Sequence, residues 1–262
     1  MNAIKSKLYW RLRESFRNSF SVREVWFDEE PKEVDGVDVF YYCQRTNPIR
    51  GIRCNEYYTI WIDLTKNQDE LWEDIGKHTR YQIRRAEKDW LVYEFWNTDD
   101  SDILNQFSDF YSKFALQKGL STFNKTRITN LMDIGALDVS RIKSKDGETL
   151  VWHAYYRNKT RSSLLYSAST FRSSTDNSYR RMVGRANRYH HWQDILKYKN
   201  LGLLTYDFGG WYAGHEDREK IGINKFKEEF GGKPERSFNC VRSITMKGKL
   251  YLRLREILTK DD

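Results

Sequence analysis

The chain has 262 residues, 39% of them hydrophobic, and a formal charge of +8 from 45 Lys and Arg against 37 Asp and Glu. Mean hydropathy is −0.81. No stretch matches the ~20 apolar residues of a membrane-spanning helix, and the first twenty residues lack the apolar run of a secretory leader. Aromatic residues reach 15%, which argues against disorder as the main state. The basic balance favours polyanionic partners such as nucleic acid, nucleotide phosphates or anionic lipid. Cys43, Cys54 and Cys240 are scattered and form no CxxC pair. They speak against a disulfide framework and for a reducing, cytoplasmic setting.

Ile4, Leu8, Leu12, Phe16 and Phe20 recur every four residues among basic side chains. This predicts a helix that packs on the sheet or lies peripherally on a membrane surface. Residues 37–43 and 57–64 read as strands from their β-branched and aromatic content. Residues 69–89 read as one helix. Leu71, Trp72, Ile75, Ile83, Ala86 and Trp90 lie on one side, with Lys77, Arg80, Arg84 and Lys88 opposite. Residues 91–96 read as a strand. The polar stretch 97–102 is the clearest seam and divides the chain into 1–98 and 99–262.

After the seam, 102–118 reads as an amphipathic helix. Strands follow at 137–144, 150–157 and 164–169, the first two turned at Asp146-Gly147. A long helix at 178–200 leads to a buried strand at 203–208 and then Gly209-Gly210. A short helix at 223–230 precedes two closing strands at 235–240 and 243–255. The expected class is a mixed α/β sheet with antiparallel and parallel parts.

Three stretches carry a family resemblance: the basic helix from Lys77 to Lys88; Ala186-Asn187 with Trp192 leading to Tyr206-Asp207-Phe208-Gly209-Gly210; and Asn224-Lys225-Phe226-Lys227 through Gly231-Gly232. In order and spacing the chain resembles the Gcn5-related N-acetyltransferase fold. More narrowly, it resembles the Fem-like aminoacyl and acyl transferases that build peptidoglycan bridges. The resemblance implies that residues 1–98 are the remnant of a first such half, with 99–262 as the acyltransferase domain.

Each motif has a plainer reading beside the functional one. Arg181-Met182-Val183-Gly184-Arg185-Ala186 fits the word that wraps the coenzyme A pyrophosphate in this fold, where free helix amides favour phosphate. An ordinary helix start explains it nearly as well. Tyr206 and Asp207 end a strand, where ligands bind in open α/β sheets; a buried capping Asp is the alternative. The resemblance implies that Lys227 stabilises the charge developing in acyl transfer and that Phe226 lies near the donor. Arg80 and Arg84 are candidate phosphate contacts, or part of a solvated face. His153, Tyr155 and Tyr166 are candidate acceptor-side or proton-transfer groups, with packing as the alternative. His190 and His191 are adjacent and without ligand spacing, so no metal is expected.

The implied function is transfer of an acyl group to an amine. The donor is an acyl thioester such as acetyl-CoA or a longer acyl-CoA, with aminoacyl-tRNA as the alternative. The acceptor is an amine such as that of a cell-envelope glycan or peptide precursor. A non-catalytic RNA- or lipid-binding relative is the reading from a different class.

Overall fold

A computed structural model describes residues 20–30, 35–97, 100–121 and 124–258. The helix expected at the amino terminus falls on residues 1–19, outside the described residues. The chain forms two compact units, residues 59–235 and residues 1–58 with 236–262. The seam expected at 97–102 lies inside the first of these and joins a strand to a helix.

In the unit of residues 59–235 the strands are the later part of β3 (Arg53–Asp63), β4 (Val92–Asn97), β5 (Leu137–Lys143), β6 (Thr149–Arg157), β7 (Arg161–Ser169) and β8 (Thr205–Gly210). Their order is β3-β8-β7-β6-β5-β4. All neighbours are antiparallel except β7 and β8. A parallel pair needs a crossover, here the 24-residue helix α5 (Asn177–Asn200). Nearly every residue of β5 and β6 is buried, because the sheet is covered on both faces. On one face, Phe107 of α3 (Ser101–Lys118) packs on Trp152 and Tyr166. On the other, α5 brings polar side chains onto His153 and Tyr155.

The helix expected over 69–89 is two helices, α1 (Gln68–Asp74) and α2 (Lys77–Glu87). Asn67 and Glu70 cap the first reciprocally. The break falls at Ile75, which is extended, and Gly76, which is not helical, where the Gly76 amide donates to the carbonyl of Glu229 (2.8 Å). Glycine weakens the helix at this point, and the tertiary bond replaces the helical one. Leu71, Ile75, Ile83 and Ala86 are buried as expected, but Trp90 is 77% exposed. A helix α4 (Lys125–Asp133), capped by Asn124, was not foreseen. Helix α6 (Arg218–Glu228) starts five residues before the expected position because Asp217 caps it. Phe226 and Lys227 therefore sit in its last turn.

In the other unit, β1 (Val22–Trp26) runs parallel to β2 (Val39–Arg45), and β2 antiparallel to β9 (Lys233–Ser243). The two closing strands expected at 235–240 and 243–255 are instead β9 followed by helix α7 (Met246–Leu258). Leu250, Leu252 and Leu254 alternate like a strand, but Met, Leu, Lys, Arg and Glu are good helix formers and no β-branched run opposes them. Thr245 supplies the cap, accepting from the Gly248 amide (3.0 Å).

Two of the scattered cysteines are joined. Cys54 and Cys240, 186 positions apart, form a disulfide in a small core with Phe40, Tyr42 and Val25. The expectation of cysteines without a disulfide is corrected by this bond. Cross-links closing long loops restrict the unfolded chain and contribute about 2–4 kcal/mol. Reductant is expected to lower the unfolding free energy by that amount, and Cys54→Ser with Cys240→Ser to remove the effect. Equal denaturant midpoints with and without reductant would exclude a stabilising cross-link.

Candidate active site

Strands β7 and β8 pair only at Arg161↔Thr205, Ser162↔Tyr206 and Ser163↔Asp207. Beyond these positions they part. A cavity of about 530 Å³ lies at the opening. Leu164 and Ser167 of β7 and Phe208 of β8 line it, with Asn187 and His191 of α5 and Phe226 and Lys227 of α6.

Gly209 marks the point of parting. Its φ is 71°, and a Cβ there would lie 2.7 Å from the carbonyl oxygen of Leu164. Only glycine fits both constraints. Asp207, fully buried, holds the turn: its Oδ1 accepts from the Gly209 amide (2.7 Å) and its Oδ2 from Arg161. Arg161 also stacks on Trp61, its guanidinium carbon 4.3 Å from the ring centroid. Of the two roles the sequence offers for Asp207, ligand contact at a strand end or a buried cap, the structure shows the buried cap. Asp207 does not line the cavity.

Lys227 does line it. Its Nζ donates to the carbonyl of Gly210 (2.5 Å). Burial pushes its pKa down to about 8, partly opposed by the charge of Asp207. The motif around it also anchors α6 to α2: Thr79 donates to Glu229 (2.6 Å), and Arg188 of α5 pairs with the same carboxylate (3.4 Å). Arg188 in turn covers the Phe226 ring at 5.0 Å.

Behind the cavity lies a buried polar network. Asp194 of α5 accepts from Tyr155 (2.7 Å) and Tyr93 (2.8 Å), and His153 Nδ1 lies 2.7 Å from its Oδ2. Tyr155 and Tyr206 share a hydrogen bond of 2.8 Å, and Tyr206 meets His191 Nδ1 at 2.7 Å. His153 Nε2 meets the Asn187 side chain at 3.2 Å. Both ends of the network, His191 and Asn187, face the cavity.

The structure therefore brings Lys227 and Phe226 to the cavity. It places Tyr206, Tyr155 and His153 one step behind it. Tyr166 packs edge-on against Tyr111 on the opposite face (4.9 Å). Arg80 is bonded to Glu73 (2.6 Å), and Arg84 lies over Trp72; neither lines the cavity. Arg181, Gly184, Arg185 and Ala186 fall inside α5, which begins at Asn177. Amides there are already used by the helix. Ala186 is buried, and Arg185 pairs with Asp89 (2.8 Å). At the helix start, Asp176 accepts from the amides of Ser178 (2.9 Å) and Tyr179 (3.2 Å). The phosphate cradle expected from Arg181 to Ala186 is not formed, because the helix starts earlier than that word.

His191, Asn187 and Asp194 were not read as site residues. Their signal was a polar stripe, 187, 190, 191 and 194, at helical spacing between the apolar Val183, Ala186, Ile195 and Tyr198. His153, His190 and Asp194 also place three ligand-type atoms within 4.8 Å of one another. An imidazole binds metal in its ring plane. The two rings are stacked, 3.8 Å apart and 5° from parallel, so one ion cannot lie in both planes.

Burial holds His190 and His191 well below the ordinary imidazole range, helped by neighbouring His153 and, for His191, by Lys227 and Arg188. Both are neutral in the fold, whereas unfolded histidines protonate near pH 6.5. Below that pH the unfolded chain binds more protons, so stability is full above pH 6.5 and falls as pH drops. The expected loss is about 1 kcal/mol for each ring between pH 6.5 and 5.5, steepening toward about 1.4 kcal/mol per pH unit below that. Denaturant melts across that window check it, and a flat response would show that the rings are not held neutral.

No family model matches the chain, and no curated protein matches it. Solved structures do. FemX superposes with a TM-score of 0.58 at 17% identity, over 74% of this chain and 63% of its own. The C-terminal domain of a putative lysylphosphatidylglycerol synthetase from Agrobacterium fabrum gives 0.54 at 12% identity, over 88% of this chain and 80% of its own. The chain thus spans less than two thirds of the FemX length. With its parted parallel strands and crossover helix, the protein has the Gcn5-related N-acetyltransferase fold, with Fem-like structural relatives.

Proposed function

We propose that the protein transfers an acyl group to an amine in the cavity between β7 and β8. The observation that carries this reading is the parting of the two parallel strands around a slot with Lys227 in its wall, while the other lining cations, Lys118 and Arg172, are paired with Glu219. A neutral amine attacks the carbonyl, and negative charge develops on the carbonyl oxygen. A fixed cation beside that oxygen stabilises the transition state more than the ground state. Lys227 is tethered for this role by the Gly210 carbonyl. With a pKa of about 8, it remains mostly protonated at neutral pH.

The donor is an activated ester or thioester. Acyl-CoA is one candidate and aminoacyl-tRNA the other. One observation favours aminoacyl-tRNA. The Asp176 carboxylate occupies the α5 amides that would bind a pyrophosphate, so acyl-CoA would have to place its phosphates elsewhere. The exposed Lys77 and Arg84 of α2 and Lys88 at its end suit a polyanion. An amine of a cell-envelope precursor is the acceptor that the Fem-like resemblance implies.

Lys227→Met keeps the volume and removes the charge. It is expected to lower kcat by about 100- to 1000-fold with little change in KM. A kcat within about threefold of wild type, roughly 0.7 kcal/mol of barrier, would remove Lys227 from the mechanism. For the donor, thermal-shift titrations with acetyl-CoA, longer acyl-CoAs and aminoacyl-tRNA are decisive. Aminoacyl-tRNA is expected to stabilise the protein in a salt-sensitive manner, less so in Arg84→Ala with Lys88→Ala. Saturable stabilisation by acyl-CoA and none by tRNA would reverse the donor assignment.

A further inference from the structure

We propose that His191 takes the proton from the attacking amine, and that Tyr206, Tyr155 and Asp194 fix its ring in the tautomer this requires. The proposal rests on the acyl-transfer reading and adds the proton acceptor that reading lacks. An amine that attacks a carbonyl carries one hydrogen too many for the amide product. The cavity offers few acceptors for it. Lys227 is bound as a donor to Gly210. Glu219, the carboxylate at the cavity rim, is spent on Lys118 (2.9 Å) and Arg172 (3.2 Å).

Counting hydrogens sets the direction of the bonds from Asp194 to His191; His153 Nδ1 lies 3.2 Å from the Tyr155 oxygen but 2.7 Å from Asp194, to which it donates, so it takes no hydrogen from Tyr155. A tyrosine has one O–H to give. Tyr155 gives its own to Asp194 Oδ2 (2.7 Å). Its oxygen therefore accepts from the O–H of Tyr206 (2.8 Å). With that hydrogen used, the Tyr206 oxygen accepts from His191, whose Nδ1 lies 2.7 Å away. Nδ1 thus carries the ring hydrogen, and Nε2 keeps a lone pair. Tyr206, Tyr155 and Asp194 are fully buried, so water does not scramble the order.

Asp194 is the anchor of this chain. It also accepts from Tyr93 (2.8 Å), so its oxygens are held from two strands. The His191 ring is wedged between Phe208 at 4.8 Å and Phe230 at 5.6 Å between centroids. No described side chain engages Nε2, and His191 lines the cavity. Burial, with the nearby His153, Lys227 and Arg188, keeps the imidazole neutral before substrate binds.

In the reaction the amine nitrogen forms the new bond to the carbonyl carbon. Its surplus proton passes to His191 Nε2. The bond from the carbonyl carbon to the donor oxygen or sulfur breaks, and that atom leaves with the electron pair and takes the proton from the imidazolium. The ring returns to its starting state. His191 is the catalytic residue here, while Tyr206, Tyr155 and Asp194 are positioning residues.

Two measurements test the assignment. Nitrogen-15 NMR of histidine-labelled protein reads the tautomer without any substrate. His191 is expected as the neutral Nδ1–H form at pH 7, and Tyr206→Phe, checked by its melting curve, is expected to release it. An Nε2–H signal for His191 in the wild type overturns the proposal. Kinetics with an aminoacyl or acyl donor and an amine are the second test. His191→Gln is expected to lower kcat by about 100- to 10,000-fold, to leave the donor KM nearly unchanged, and to regain activity with added imidazole. Should this variant not fold, Tyr206→Phe, with a smaller kcat loss and the altered tautomer, takes its place. Activity lost in Lys227→Met but retained in His191→Gln overturns the role of His191 alone. A wild-type chain that acylates no amine, whatever its tautomer, overturns the acyl-transfer reading and this role with it.

Discussion

The carboxylate of Asp207 lies at the last position where β7 and β8 are paired, and the cavity depends on what it holds there. A buried carboxylate is costly unless its lone pairs are met. This one receives Arg161 from β7 and the Gly209 amide from its own turn. The first bond ties the two strands where they still run together. The second holds the left-handed glycine that turns β8 away. Parallel strands have no hairpin to part them, so the separation has to come from such side-chain bonds and from the Gly209 approach to Leu164. Leaving one member of a buried pair unmatched typically costs about 3–5 kcal/mol. Asp207 therefore shapes the opening although it does not line it.

Behind the opening the core is unusually polar. Asp194, His153, His190, Tyr155 and Tyr206 are all fully buried between α5 and the sheet. An apolar core of the same volume would avoid the desolvation cost, since partly satisfied networks are worse than none. Here nearly every bond of the ring is short, and both ends meet the cavity through His191 and Asn187. A purely structural network has no reason to end twice at the same slot. The arrangement links the rigidity of the core to the orientation of side chains in the cavity wall.

Much of this was legible in the sequence. The composition of 137–169 pointed to three strands, and the long helix at 178–200 is the one that forms the crossover. Gly209-Gly210 and Phe226-Lys227 pointed to the cavity. What failed did so for local reasons. Leucines at every second position near the carboxyl terminus imitate a strand, while their helix propensity and the Thr245 cap decide otherwise. Gly76 splits a helix whose hydrophobic period runs on unbroken. The Arg181–Ala186 word looked like a helix start because the true cap, Asp176, stands five residues earlier. His191 was passed over because adjacent histidines suggest no metal spacing. Its meaning comes from Tyr206 and Asp194, which only the fold brings together. The disulfide joins residues 186 apart, a pairing no spacing rule exposes.

The two groups assigned to the chemistry are each suppressed by the same environment. Burial lowers the pKa of Lys227 to about 8, and burial with the Lys227 charge keeps His191 neutral. In the resting cavity a second cation beside Lys227 is unfavourable. As the amine attacks, the carbonyl oxygen gains negative charge, and that repulsion is offset. The imidazolium then forms in a field that already holds one positive and one negative charge, beside buried side chains where such interactions are stronger than in water. Proton transfer to His191 thereby becomes favourable only while the oxyanion exists. A base that is weak at rest and stronger at the transition state holds no proton before substrate arrives, and this timing follows from placing Lys227 and His191 on one cavity.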